Sequence, residues 1–328
     1  MSPTLMTAGR VVILGGARTP MREYGGAGAA LSANALGASA ARAALERTGV
    51  APGEIDHAIV GNALQTSADA IYCARHVALG AGLPVEVPAV TVNRLCGSGI
   101  EAVVQSAHRI LLGEARVCLA AGTENMTQAP HVLRGARAGM RLGDAALEDS
   151  LLAALRDTRC GLLMAETAEK VAQERGIPRA AQDEYALRSH RLGAAAVAQG
   201  RFDDEVVPVE VKGRKGPETV RTDDHIKPDT SAEALAALRP AFGKDGTVTA
   251  GNASGIVDGA AALVVAAAEE AARRGAAPLG RILSWAAVGV DPARMGLGPV
   301  PAIRRALAAA GLGIGDVDRF EINEAFAA

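Results

Sequence analysis

Val87–Pro88–Ala89–Val90–Thr91–Val92–Asn93–Arg94–Leu95–Cys96–Gly97–Ser98–Gly99 is the stretch whose reading decides the fold. Its first six residues are β-branched enough for a buried strand, with Pro88 near the start. The glycines that follow permit a tight turn, and Gly99 to Leu112 reads as a helix stopped by Gly113. Outward from this strand–turn–helix unit, the same grammar recurs. Val11–Gly15, His57–Val60 and Arg116–Ala121 read as strands, and Leu36–Arg47 and Ala70–Leu79 as helices. Strands that are apolar throughout, alternating with helices, predict a doubly wound α/β sheet covered on both faces.

The texture changes from about Ala129 to Val248. Three helical stretches (near Ala145–Arg156, Met164–Glu174 and Ala180–Gln199) have no strands between them, and Arg201–Asp229 is dense in both signs of charge. Such a segment is either a solvated insertion or a folded excursion over an active site. The core pattern resumes at Ala260–Ala267, continues through Arg281–Val288 and adds a helix after Pro299. Leu45, Gly49, Gly53, Glu54, Ile55 and Asp56 recur, at the same spacing, as Leu307, Gly311, Gly315, Asp316, Val317 and Asp318. This is either generic αβ grammar or a second copy of one α/β unit. On the second reading the counterpart of Cys96 falls beyond the last residue, so the second half is expected to be incomplete and the chain a fragment.

Composition excludes several classes. The 328 residues suffice for two domains, and 49% hydrophobic with 21% charged residues excludes bulk disorder. Thirty-four Lys and Arg against 36 Asp and Glu leave a net charge of −2, which offers no electrostatic footprint for nucleic acid or an anionic membrane. With 38 Gly but one Trp, three Tyr and four Phe, the core must be Ala, Val, Leu and Ile with backbones close together. The longest wholly apolar run, Gly259–Ala268, is too short to span a bilayer. The first ten residues carry no secretion signal, and the expected location is cytoplasmic. Cys73, Cys96, Cys118 and Cys160 contain no CxxC pair and are expected reduced. The scattered histidines supply no metal site.

Cys96 is the first candidate for chemistry. A cysteine where a strand turns into a helix feels the free N–H groups and the positive end of the dipole, which favour thiolate. Backbone N–H groups beside flanking glycines can also receive an oxyanion. Alternatively, Cys96 is a small buried hydrophobe at an element junction. Cys73 and Cys118 sit inside apolar elements as core. Asn323 follows an expected strand, Arg319–Ile322, and reads as a cleft-edge polar group, an N-cap, or both. Ser254 lies in Thr249–Ala250–Gly251–Asn252–Ala253–Ser254–Gly255, a small-residue loop that either admits a ligand or is only a turn. Gly25, Gly26 and Gly28 lack the GxGxxG spacing, and neither a P-loop nor a GxSxG elbow is present.

These stretches together resemble the thiolases: acetyl-CoA acetyltransferases and 3-ketoacyl-CoA thiolases. The resemblance is carried by Arg18–Thr19–Pro20, the Asn93–Gly99 segment, Gly122–Thr123–Glu124–Asn125–Met126–Thr127–Gln128–Ala129–Pro130 and Met164–Ala165–Glu166–Thr167–Ala168–Glu169. It continues through Leu238–Arg239–Pro240–Ala241–Phe242, Thr249–Ser254, Asp258–Gly259–Ala260–Ala261, Gly296–Ala302 and Asn323–Glu324–Ala325–Phe326. It implies two similar α/β halves with an inserted loop domain. The expected divisions are an N-terminal half at 1–128, the loop domain at 129–248, a return to the first half at 249–275, and a truncated second half at 276–328. Cys96 is then the nucleophile that takes an acyl group from acyl-CoA, and Asn323 holds the water of an oxyanion hole. Ser254 lies against the pantetheine arm, with Ala250, Ala325 and Phe326 lining the same tunnel and Met164 beside the acyl or pantetheine part. Lys227 stands where many members place an arginine near the CoA adenine, and it loses the planar stacking surface. Leu163 replaces a frequent histidine, Ala165 a glycine and Ala234 a loop serine.

The resemblance implies CoA and acyl-CoA as substrates, no cofactor, no nucleic acid or membrane partner, and a homodimer or homotetramer when complete. Neither the Gly-His-Pro nor the Cys-x-Gly-x-Gly of the family occurs in the sequence, and His108, His131, His190 and His225 sit in no such motif. The chain itself is therefore expected to be inactive. Two alternatives stand beside the thiolase reading: a decarboxylating ketosynthase-like condensing enzyme, and a non-catalytic acyl-CoA-binding subunit.

Overall fold

Val11–Arg18 (β1) opens a mixed sheet in a computed structural model that describes residues 9–140, 142–213, 216–241 and 245–328. The first eight residues of the leader, and Phe242 of the motifs above, lie outside the described residues. Helix α1 (Ala33–Thr48) follows; Ser32 caps its start by accepting from Ala35 N at 3.2 Å, and Gly49 ends it in the left-handed region. Then come β2 (His57–Gly61), α2 (Cys73–Gly80), β3 (Ala89–Val92), α3 (Ser98–Leu111) and β4 (Val117–Glu124). After the inserted region, β5 (Val257–Ala267) enters the middle of the sheet. The order is β1–β5–β4–β2–β3, with Gly280–Arg281 outside β1 and Arg22–Glu23 pairing the start of β5. β5 runs antiparallel to β1 and β4, whereas β2 is parallel to both β4 and β3.

Both faces of the sheet are covered, as the apolar strands require. Val12, Val60, Leu119 and Val264 point toward α1 and α2, where they meet Leu36, Ala40, Ala44 and Val77. Their neighbours Val11, Ile59, Ala120 and Val265 point the other way, against Ala102, Ala107 and Ile110 of α3 and the partly buried Trp285. Each fully buried Val, Leu or Ile contributes about 1.5–3 kcal/mol. No aromatic side chain is among the buried hydrophobic residues described. Small residues do that packing: a Cβ on Gly37 of α1 would come within 2.7 Å of Val77 Cγ2.

The inserted region is a folded excursion. It contains α4 (Met164–Arg175) and α5 (Arg179–Ala198), a hairpin of Val209–Gly213 with Gly216–Val220, and short helices at Ser150–Ala154 and Ala232–Ala236. The expected helix at Ala145–Arg156 shrinks because Asp149 caps it, accepting from Leu151 N at 2.9 Å. Buried Val209, Val211 and Val220 pack against Ala27 and Leu31 of the first half. Arg18, at the end of β1, reaches Asp223 at 2.8 and 3.0 Å and Glu205 at 2.7 Å. Dense mixed charge here fastens the insertion to the sheet.

Two expected strands are not formed. In Arg281–Val288 the ladder ends at Arg281, with Ile282 still donating to Val11 O at 3.0 Å. Arg319–Ile322 lies in no strand, and Phe320 and Ile322 are about half exposed. A β-branched run becomes a strand only where a neighbour completes its hydrogen bonds. Helix α6 (Pro299–Ala310) forms after Pro299 as expected, with Gly311 left-handed at its end. The last residues fold back onto the insertion. Ser254 N donates to Ala325 O at 3.0 Å, Ala327 N donates to Asn252 O at 2.9 Å, and Phe326 packs against Ala165, Ala168 and Val248.

Candidate active site

Cys96 sits where β2, β3 and β4 all end, on the turn from β3 into α3. Two glycines let α3 descend onto those strand ends. A Cβ on Gly61 would lie 2.4 Å from the carbonyl of Ser98, and one on Gly122 would lie 3.2 Å from Gly99 Cα. The turn is strained at Leu95, whose φ of 48° is the one positive value at a non-glycine residue among those described. Short bonds hold it there. Asn93 Oδ1 accepts from Leu95 N at 2.8 Å, and Ser98 Oγ donates to Leu95 O at 2.6 Å while accepting from Arg94 N at 2.8 Å. Arg94 is in turn tied to Glu101 at 2.7 Å.

Of the four thiols, Cys96 alone is exposed. Burial pushes the Cys73 and Cys118 thiols up to about 12, which keeps both protonated and unreactive near neutral pH. Cys160 is half-buried with Sγ 3.9 Å from Asp157 O. The alternative reading of Cys96 as a small buried hydrophobe does not fit its exposure.

A second locus is a cavity of about 220 Å³ between α5, the Gly251–Ser254 loop and the C-terminal segment. Ser254, Asn252, His190, His225 and Glu324 line it. Glu324 is gripped by two hydroxyls of α5, Tyr185 at 2.9 Å and Ser189 at 2.5 Å, and the hydrogen bond to it, with burial, raises the Tyr185 phenol. Next in the chain to the lining residues His225 and Ile226, Lys227 Nζ donates to Glu23 at 2.6 Å and to Asp224 O at 3.2 Å. That bond, against a smaller cost of burial, holds the Glu23 carboxyl below its ordinary range. His225 Nδ1 lies 3.2 Å from the same carboxylate. His190 Nδ1 accepts from Lys227 N at 3.2 Å, and burial, reinforced by His225 and Lys227, lowers its pKa.

The structure thus brings Ser254, Ala325 and the chain around Lys227 together, and it places Cys96 elsewhere: Cys96 does not line this cavity, nor do Met164, Ala250 and Phe326. Asn323 is exposed one residue before the clamped Glu324. Sequence alone does not mark Tyr185, Ser189 and His190 as a site. The i, i+4 spacing of Tyr185 and Ser189, one face of one helix, was the signal available. Among the described residues no cluster of three His, Cys, Asp or Glu could hold a metal, and no helix is long and apolar enough to cross a membrane.

Comparison with known proteins gives this geometry a setting. Family models match the chain twice: the thiolase N-terminal domain over residues 11–269 and the thiolase C-terminal domain over 276–328. Human mitochondrial 3-ketoacyl-CoA thiolase is 48% identical over 97% of this chain and 80% of its own length. Beta-ketothiolase BktB of Cupriavidus necator is 47% identical over 97% of this chain and 81% of its own. The crystal structure of the human enzyme superposes with a TM-score of 0.95, covering 97% of this chain and 81% of that one.

Three expectations are corrected by these matches. A second half counted as incomplete does not stand, because the C-terminal domain model is matched and 97% of the chain aligns within the fold. The expectation of a catalytically inactive fragment falls with it: it rests on the absence of Gly-His-Pro and Cys-x-Gly-x-Gly, whereas both family models are matched and a 3-ketoacyl-CoA thiolase aligns over 97% of this chain. The cytoplasmic expectation is overturned as well, since the human and bovine relatives are mitochondrial and a weak leader composition cannot outweigh them. Matched in both its domains, and by enzymes along nearly its whole length, this chain belongs to the thiolase family and is an enzyme of the acetyl-CoA C-acyltransferase and acetyltransferase class.

Proposed function

We propose that this thiolase transfers an acyl group between CoA thioesters through Cys96. The Cys96 thiolate attacks the thioester carbonyl, the carbonyl oxygen takes the charge, and CoA leaves as the carbon–sulfur bond to it breaks. The acyl-cysteine then passes its acyl group to the α-carbanion of a second acyl-CoA, or to the thiol of CoA in the reverse direction. Both steps place negative charge on a thioester oxygen, which favours fixed donors over mobile ones. The single observation that carries the reading is an exposed thiol on a strained turn at the strand ends, while Cys73 and Cys118 are sealed in the core.

In this reading Asn323 holds the water of an oxyanion hole, and Ser254, Ala250, Ala325, Phe326 and Met164 receive the pantetheine and acyl parts. Lys227 meets the nucleotide end. Supporting this, Ser254 lines the cavity with the clamped Glu324, and a solved human relative that carries CoA shares the fold at a TM-score of 0.94 and 47% identity. The finer state of assembly is a homodimer or homotetramer. β3 is a sheet edge with Val90 over one third exposed, a surface suited to pairing between copies. Sedimentation showing a monomer at micromolar concentration would remove that part.

The test of the main reading is Cys96→Ser, assayed by thiolysis of acetoacetyl-CoA with free CoA and by intact mass after incubation with acetyl-CoA. Loss of both turnover and the acetyl adduct is expected. An adduct that persists on the serine variant, with turnover intact, would refute it.

A further inference from the structure

The carboxylate of Glu124 is an anomaly the reaction does not use. It stands at the end of β4, partly buried, and burial raises its pKa to about 7 against the pull of the groups that donate to it. Those donors all belong to the segment after β2. Asn62 Nδ2 reaches Oε1 at 3.0 Å, Ala63 N donates to the same oxygen, and Leu64 N lies 3.2 Å from Oε2. Ala63 N and Leu64 N donate to nothing else among the described residues. A carboxylate is the side chain suited to three donors arriving together; an amide offers one oxygen and would turn its own NH₂ toward Leu64 N.

From that segment the bonds lead to the nucleophile. Ala63 O accepts from Asn93 Nδ2 at 3.0 Å, and Asn93 Oδ1 accepts from Leu95 N at 2.8 Å. Leu95 is the left-handed residue beside Cys96. Asn62 N adds a second tie, donating to Val92 O at 3.1 Å at the end of β3. Strand ends two apart in the sheet are thus joined through one carboxylate and one amide side chain.

We propose that Glu124 is a positioning residue for the Cys96 turn: its carboxylate fixes residues 62–64, these fix Asn93, and Asn93 fixes Leu95 in the conformation that presents the thiol. The inference rests on Cys96 being the nucleophile. Glu124 touches no reacting atom, so its removal should change how often the thiol stands in line with a thioester rather than how tightly CoA binds.

The experiment compares Glu124→Gln, Asn93→Ala and the double variant in thiolysis of acetoacetyl-CoA, with thermal unfolding to confirm that each is folded. A misplacement on the order of 1 Å costs about 10²-fold in rate, so kcat should fall by about that factor in each single variant, with KM for CoA unchanged. Because the two residues act in series, the double variant should lose no more than the worse single one. The iodoacetamide reaction of Cys96 should slow in the same order. Losses that multiply in the double variant, or a rise in KM that accounts for the whole effect, would overturn the proposal. If Glu124→Gln does not fold, Glu124→Asp replaces it. Asn93 is exposed and does not touch the Glu124 carboxyl, so unchanged kcat in Asn93→Ala overturns the proposal whatever happens at Glu124. Cys96→Ser separates the two failures. Turnover surviving there removes the nucleophile and this inference with it; turnover lost there but intact in the other variants removes this inference alone.

Discussion

At the Cys96 turn, position is set by backbone groups and the short side chains of Asn93 and Ser98, on a base where Gly61 is too tight to admit a methyl and Gly122 is close-packed. Around the cavity at Ser254, position is set by long side chains reaching between elements: Glu324 to the hydroxyls of Tyr185 and Ser189, and Lys227 to Glu23. The first arrangement has few soft degrees of freedom and stores strain at Leu95. The second is rich in rotamers and half open to water. Covalent chemistry calls for the first kind, where an atom must stand within a fraction of an ångström. Binding a long, flexible thioester suits the second, where a side chain can yield as the ligand enters.

The comparison breaks most easily at Gly61. Gly61→Ala drives a methyl into the Ser98 carbonyl, and because a backbone cannot swing aside like a side chain, α3 must lift. We expect a loss of about 1–3 kcal/mol in stability by denaturant titration, and at least about 10²-fold in kcat from the displaced thiol. A variant that folds and turns over normally would show that the turn tolerates movement.

The next effect is one of pH. Glu124 is raised to about 7 in the folded chain, so it binds its proton more tightly folded than unfolded. Its contribution is fully present below the ordinary carboxylate range near 4.5 and is lost as pH rises through about 7. Glu270, lowered to about 2 chiefly by hydrogen bonding to Arg273, has the opposite sign: its contribution is present above about 4.5 and is lost as pH falls toward 2. Denaturation midpoints of Glu124→Gln should therefore decline less between pH 5 and pH 8 than those of the parent. Parallel curves would place the carboxyl's titration elsewhere.

Smaller changes belong to the cavity. Tyr185→Phe removes one of two hydroxyls on Glu324, a hydrogen bond to a charged group worth about 1.5–3 kcal/mol at most. Its partial exposure reduces that, and KM for CoA should rise severalfold with kcat nearly kept. A fall in kcat without change in KM would instead tie Glu324 to Asn323 and the chemistry. Least of all is expected from Glu23→Gln, which frees Lys227 from a pair exposed on both sides (49% and 40%). Stability should change by less than about 1 kcal/mol, while KM for CoA should become more sensitive to salt. No change at any ionic strength would exclude Lys227 from the nucleotide end.

The legibility of these two regions in the sequence differs for a physical reason. Cys96, its strand and its helix are neighbours in sequence, so local grammar places the thiol and even its glycines. Glu124 and Asn62 are also near strand ends, yet which backbone groups a carboxylate will meet is decided by sheet order, and sheet order is not local. The grip of α5 on Glu324 joins residues far apart in the chain and leaves only a helical spacing behind. Of Arg281–Val288 only Arg281 enters a ladder, and Arg319–Ile322 enters none, since composition describes a side chain's preference and a ladder requires a partner. Dense mixed charge in Arg201–Asp229 reads as solvated until Arg18 is seen reaching into it.

β5 carries a consequence for how the molecule comes into being. It lies between β1 and β4, yet it is synthesised only after the whole excursion. Until it emerges, β1 has no central neighbour and one side of β4 is bare, so the earliest residues must wait for some of the latest. Long-range pairing of this kind slows folding and leaves apolar strand edges available to other nascent chains. The protein's vulnerable moment is thus on the ribosome, before its middle strand arrives.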